Sequence, residues 1–137
     1  GVNLAISLHA PTNEIRNKIM KVNKAYPIED IMKALKYYID KTNRRVTFEY
    51  IMLDSVNDSK EDAKNLAKLV KNLNCYVNLI PYNETNNIGF KRSNSLKITE
   101  FYDILKKENI NVTIRREFGS KVSAACGQLR AENEGGK

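Results

Sequence analysis

The feature that most constrains this chain is an alternation of short β-rich apolar runs with stretches of helical periodicity, strand then helix, repeated along its length. Residues 2–8 (VNLAISL) form a short apolar run, as expected of a strand buried on both faces. Pro11, Thr12, Asn13 and Glu14 supply a turn and a helix cap ahead of Ile15, Ile19 and Met20. After Pro27, the residues Ile28, Ile31, Leu35, Tyr38 and Ile39 recur at helical spacing. Residues 45–53 (RVTFEYIML) are rich in β-branched and aromatic side chains and mark a second strand. Asn57, Asp58 and Ser59 form a turn and cap cluster before an apolar stripe of Ala63, Leu66, Ala67, Val70 and Leu73. Residues 75–80 (CYVNLI) give a third strand closed by Pro81, followed by a polar loop over 83–94 long enough to point to function. Ser95 is the expected cap of a helix carrying Leu96, Phe101, Ile104 and Leu105, and residues 111–115 (NVTIR) give a fourth strand. Gly119 and Ser120 introduce a last short helical stretch around Cys126.

Repeated strand–helix units mean parallel β-strands joined by crossover helices, so the expected fold is α/β with about four parallel strands. It is either a small open sheet or half of a barrel. No GxGxxG or GxxxxGK pattern is present, which argues against a dinucleotide-binding or P-loop fold. Both parallel architectures bind ligands at the carboxyl ends of their strands. That rule selects Ser7, Leu8 and His9, then Leu53 and Asp54, residues 78–83, and Arg115 with Arg116.

A chain of 137 residues is one domain's worth of polymer. With 42% hydrophobic and 28% charged residues it has the composition of a soluble globular protein, not of a disordered one. No apolar run approaches the roughly 20 residues of a membrane span, and no signal peptide opens the chain, so no membrane partner and a cytoplasmic location are expected. Lys and Arg total 23 against 16 Asp and Glu, a net charge of +7. Such a balance suits a partner with a phosphate backbone, although many basic domains bind no nucleic acid. Arg44-Arg45, Lys91-Arg92 and Arg115-Arg116 are candidate phosphate contacts, with solvated surface charge as the competing account.

His9, the single histidine, follows the first strand, where an imidazole can hydrogen-bond a ligand or simply a nearby backbone carbonyl. No second His and no spaced carboxylate cluster supports a metal site. Asn83, at the mouth of the third strand, can pair with the polar edges of a nucleoside, and Asn is equally a favoured turn residue. Cys126 lies among small residues in Ala124-Ala125-Cys126-Gly127-Gln128, with Arg115, Arg116 and Lys121 near in sequence to favour a thiolate. A lone cysteine is more often a small buried hydrophobe. Cys75, opening a strand, is expected in the core; two widely spaced cysteines make neither a zinc pattern nor a disulfide framework.

Six ordered segments together resemble one family, the RlmN-type radical-SAM RNA methyltransferases. They are residues 3–11 (NLAISLHAP), 16–23 (RNKIMKVN), 44–49 (RRVTFE), 57–59 (NDS), 78–83 (NLIPYN) and 124–129 (AACGQL), in register over nearly the whole chain. The resemblance implies the C-terminal half of a partial (β/α) TIM-like radical-SAM barrel over residues 1–130, with 131–137 as a flexible tail. It implies S-adenosylmethionine and a 4Fe-4S cluster as cofactors, 23S ribosomal RNA and in some members transfer RNA as substrates, a reducing system for the cluster, and methylation of adenine carbon 2. By the same resemblance Ser7, Leu8, His9 and Asn83 line the S-adenosylmethionine site. Cys126 matches the cysteine that is itself methylated. Adenine carbon 2 is too weak a nucleophile to take a sulfonium methyl directly, so the family moves the methyl first onto a thiolate. A radical derived from a second S-adenosylmethionine then activates that S-methyl group, whose carbon adds to the ring. A second cysteine resolves the resulting protein–RNA adduct as a disulfide after the ring proton leaves.

The chain departs from that pattern in having no CxxxCxxC, the three thiolates such a cluster needs. The family's N-terminal domain, resolving cysteine and carboxylate base are likewise expected in sequence preceding this chain, which reads as an enzyme fragment inactive alone. Its start, without Met and almost at once in a strand, looks cut, and its polar end looks frayed. The Cfr-like enzymes, which methylate carbon 8, are the sibling reading, and a stand-alone RNA-binding α/β module is the reading from another class. A half-barrel is further expected to expose edge strands and an apolar wall, and so to self-associate.

Overall fold

A computed structural model describes residues 4–20, 25–84 and 89–115. The order is β1 (Leu4–Ser7), α1 (Asn13–Ile19), α2 (Ile28–Thr42), β2 (Val46–Met52), α3 (Lys60–Val70), β3 (Cys75–Pro81), α4 (Ser95–Lys107) and β4 (Val112–Ile114). The strands form one four-stranded sheet in the order β1-β2-β3-β4, every neighbouring pair parallel. The expected α/β fold of four parallel strands with crossover helices is therefore observed.

The burial pattern explains how the layers form. Along β2, Val46, Phe48, Tyr50 and Met52 are fully buried while Thr47, Glu49 and Ile51 are only partly so. Cys75, Val77 and Leu79 of β3 and Val112 of β4 join the same core, with Leu35 of α2, Leu66 and Val70 of α3, and Phe101 and Leu105 of α4. One sheet face is thus covered by helices, and side chains of alternate parity stand on the other. The expectation that the first strand is buried on both faces is corrected. In β1, Ala5 and Ser7 are exposed, because the helices cover only the face that carries Leu4 and Ile6.

Helix ends are fixed by specific partners. The Thr12 hydroxyl accepts from Ile15 N–H and caps α1. Pro27 offers α2 no side-chain cap, and the Asn13 side-chain oxygen instead accepts from Ile28 N–H at 2.8 Å. Ser59 and Asp62 make a reciprocal capping box on α3. Asn94 caps α4, its side chain accepting from Lys97 N–H at 2.8 Å, so the expected cap Ser95 lies one residue inside the helix. Leu96, expected on the apolar stripe of this helix, is 69% exposed, and Ile98 is buried in the core.

Candidate functional site

The chain leaves β1 at the carboxyl end of the sheet through Ser7, Leu8 and His9. Ser7 is exposed on the face without helices, whereas the Leu8 side chain is wholly in the core. The backbone here is held by Arg16 of α1, a buried guanidinium that donates to the Leu8 carbonyl and the Ser7 carbonyl, each at 3.0 Å. His9 takes a left-handed backbone conformation (φ 59°), uncommon outside glycine. Its Nδ1 accepts from Ile51 N–H at 3.0 Å, so the ring continues the β1–β2 ladder where the strand has ended. With Nδ1 accepting, the hydrogen-bond network assigns the ring proton to Nε2.

Asn57 locks this corner from the other side. Fully buried, it donates from its amide nitrogen to the His9 carbonyl at 2.9 Å and the Ile51 carbonyl at 2.7 Å. Its side-chain oxygen accepts from Leu53 N–H at 2.8 Å, and its own carbonyl accepts from the Tyr50 hydroxyl at 2.6 Å. One side chain thereby satisfies the backbone groups that the end of β1 leaves open beside β2. The loop after β3 crosses the same end: Leu53 and Arg92 form an antiparallel bridge, and Asp54 N–H donates to the Lys91 carbonyl at 2.8 Å. Buried Asp58 accepts from the Ser93 hydroxyl at 2.7 Å and from Ser55 N–H at 3.0 Å, with the Lys97 ammonium at 3.6 Å. Asn83 follows β3 by two residues and is half-buried at this carboxyl end.

The open sheet face carries a polar row. Ser7 is the register partner of Glu49, Glu49 of Asn78, and Asn78 of Thr113, so four polar residues cross the sheet at one level. The Thr113 hydroxyl donates to the Asn78 side-chain oxygen at 2.6 Å, and Arg115 reaches back across β3 to the Glu49 carboxylate at 3.3 Å. At this level the open face bears hydroxyl, amide and charged groups, while Ala5, Ile51 and Tyr76 stand on the same face at neighbouring levels.

Burial and, secondarily, the Arg16 charge push the His9 imidazole down to about 4, so the ring is neutral near pH 7. Cys75 is in the core as expected, its Sγ 3.8 Å from the Val70 carbonyl, and burial pushes its thiol up to about 11. The basic pairs do not gather: Arg45 stacks on the Tyr76 ring (4.4 Å) at the amino end of the sheet, whereas Lys91, Arg92 and Arg115 lie toward the carboxyl end. Cys126, Arg116 and the helical stretch expected around Cys126 lie outside the described residues. Among the described residues no three His, Cys, Asp or Glu side chains stand together as metal ligands. Arg16, Glu49 and Asn57 were not singled out as site residues from the sequence. Each lies in a segment that carries the family resemblance, and Glu49 is marked in addition by its period-2 offset from Phe48 and Tyr50.

The arrangement of parallel strands with crossover helices is shared with two solved structures. The crystal structure of a radical SAM methyltransferase from Sphaerobacter thermophilus matches 93% of this chain and 37% of that one at a TM-score of 0.86 and 45% identity. A domain of a pyruvate-formate lyase-activating enzyme from Bacteroides vulgatus shares the fold at a TM-score of 0.65 and 16% identity, over 82% of this chain and 66% of that one. No protein-family model matches. Over the length it covers, the chain belongs to the RlmN family. It is 60% identical over 134 residues to a protein of Spiroplasma citri named probable dual-specificity RNA methyltransferase RlmN, covering 98% of this chain and 38% of that protein. A Caldanaerobacter subterraneus protein of the same name is 57% identical over 129 residues, covering 94% and 38%. The chain thus spans 38% of the length of these curated relatives.

Proposed function

We propose that this chain supplies one wall of the S-adenosylmethionine site and the methyl-carrying thiol of a cytoplasmic radical-SAM RNA methyltransferase. The parent protein methylates carbon 2 of an adenine in 23S ribosomal RNA, and also acts on transfer RNA. Residues 1–130 belong to its barrel and 131–137 form a tail. The observation that carries this reading is the Ser7-Leu8-His9 corner, in a chain 60% identical to an RlmN methyltransferase, with its backbone fixed at the carboxyl end of the sheet by Arg16 and Asn57.

The donor set at this corner fits a nucleoside ligand: a hydroxyl on Ser7, a neutral imidazole with Nε2–H on His9, and amides on Asn78 and Asn83. Leu8, buried in the core, contributes by holding the backbone between its two neighbours. S-adenosylmethionine, when bound, supplies an electrophilic methyl on a sulfonium. Cys126 would take that methyl as a thiolate, the methyl–sulfonium bond breaking as the new carbon–sulfur bond forms and S-adenosylhomocysteine leaves, and would carry the one-carbon unit to the base. The residues of this chain do not fit an iron–sulfur cluster, since no CxxxCxxC is present and the described Cys75 is buried in the core. The remainder of the parent protein supplies the cluster ligands, the resolving cysteine, the carboxylate base and the contact with a reducing system.

The test is methyl-position mapping by mass spectrometry on RNA treated with the full-length parent protein and its Cys126→Ala variant. The expected result is carbon 2 methylation that disappears in the variant. Carbon 8 product would move the protein to the Cfr-like branch. Undiminished methylation by the variant would overturn the role of Cys126.

A further inference from the structure

We propose that Tyr26 is a stacking platform for an unpaired base of the RNA substrate, next to the reacting adenine. This rests on the RNA methyltransferase reading above. Tyr26 stands 63% exposed in the turn that leads into α2. Its backbone is tied to the Ser7-Leu8-His9 corner. The same Arg16 guanidinium that donates to the Ser7 and Leu8 carbonyls also donates from Nη1 to the Tyr26 carbonyl, at 3.4 Å. Two residues further on, Ile28 N–H is held by the Asn13 side-chain oxygen at 2.8 Å. A large aromatic residue is thus held out to solvent beside the corner, on a backbone fixed from two sides.

Three features suit this ring to a base. Among the described residues, Tyr26, Tyr37 and Tyr76 are the exposed tyrosines. Tyr37 has the Lys41 ammonium 5.6 Å from its ring, and Tyr76 has the Arg45 guanidinium at 4.4 Å, whereas the Tyr26 ring has no such contact among the described residues. Lys18, exposed in the last turn of α1, and then Lys21 and Lys24 precede Tyr26 at every third position of the sequence. Basic side chains interleaved with an aromatic one suit single-stranded RNA, whose phosphates meet the cations while its unstacked bases lie on the ring. The chemistry creates such a base. An enzyme that acts on a nucleobase draws it out of its stack, and the neighbouring base is left with an open face. Tyrosine has only two side-chain torsions to fix, and here its backbone is already held, so stacking costs little in ordering.

The experiment is fluorescence anisotropy of a labelled 23S ribosomal RNA fragment containing the reacting adenine, with the full-length, cluster-loaded parent protein. Tyr26→Ala is expected to bind the fragment about tenfold more weakly, the scale of one lost base–aromatic stack. Its slope of log affinity against log salt should match wild type, because no phosphate contact is removed. Tyr26→Phe, which keeps the ring, should bind as wild type does. Two further fragments lack the base on one side or the other of the adenine. One of them is expected to bind wild-type protein about tenfold more weakly and to lose nothing more against Tyr26→Ala. Equilibrium dialysis should give one S-adenosylmethionine affinity for all three proteins. The proposal alone is overturned by Tyr26→Ala that binds RNA like wild type, or by Tyr26→Phe that binds as weakly as Tyr26→Ala. It is equally overturned if the missing base weakens wild type and Tyr26→Ala alike, or if Tyr26→Ala also loses S-adenosylmethionine. Wild-type protein that neither binds nor methylates the fragment overturns both this proposal and the reading beneath it.

Discussion

His9 combines a left-handed backbone, a ring nitrogen accepting from Ile51 N–H and a carbonyl held by Asn57, all at the exit of β1. Protonating Nδ1 would replace that acceptor with a donor facing Ile51 N–H and put a charge beside Arg16. The folded imidazole accordingly sits at about 4 against an ordinary value of 6.5. Between these values the unfolded chain binds a proton that the folded chain refuses, so stability falls as pH drops from 6.5 toward 4. The full loss is on the order of 3 kcal/mol, reached once both states are protonated. Urea titrations of the parent protein at several pH values across that window should show this slope. In His9→Gln, whose amide oxygen can replace Nδ1 as acceptor, the extra slope should vanish. Equal slopes in the two proteins would refute the account. His9 was legible as a site candidate because a parallel sheet exposes its carboxyl ends. Its partner Asn57 was not, since residue type and spacing show there only a turn-forming Asn, and its contact with His9 spans 48 positions.

At the scale of elements, periodicity was enough to find every strand and helix among the described residues, because each helix has an apolar stripe and each strand a β-rich run. What periodicity alone missed was which face of the strands lay open. The run RVTFEYIML was read for its β-branched content, yet its alternation of Val46, Phe48, Tyr50 and Met52 with Thr47, Glu49 and Ile51 already implied a half-covered sheet. The start of α4 shows the related difficulty of adjacent cap candidates. Asn94 and Ser95 are both good capping residues, and only the backbone decides between them: Asn94 is extended (φ −72°, ψ 165°) while Ser95 is already helical. Asn94→Ala should therefore cost about 1 kcal/mol in a denaturant titration, and Ser95→Ala a few tenths at most. The opposite ranking would return the cap to Ser95.

Over the whole molecule the net charge of +7 gains meaning only from where the charges stand. The composition argued for a phosphate-bearing partner without saying which surface meets it. The structure separates the candidates into two ends, with Arg44 and Arg45 before β2 at the amino end of the sheet and Lys91 and Arg92 against Leu53 at the carboxyl end. Arg45 is also engaged by the Tyr76 ring and the Asn74 side chain, which ties it to the sheet end it covers. If the reacting adenine meets the Ser7-Leu8-His9 corner, its flanking phosphates approach the carboxyl end. Replacing Lys91 and Arg92 together with Ala in the parent protein should then weaken RNA binding about tenfold near physiological salt. It should also lower the slope of log affinity against log salt by about 1 for each phosphate that is no longer neutralised. Arg44→Ala/Arg45→Ala should leave both quantities nearly unchanged. Filter binding across a salt series distinguishes the cases, and a larger effect at Arg44 and Arg45 would place the RNA at the other end of the sheet.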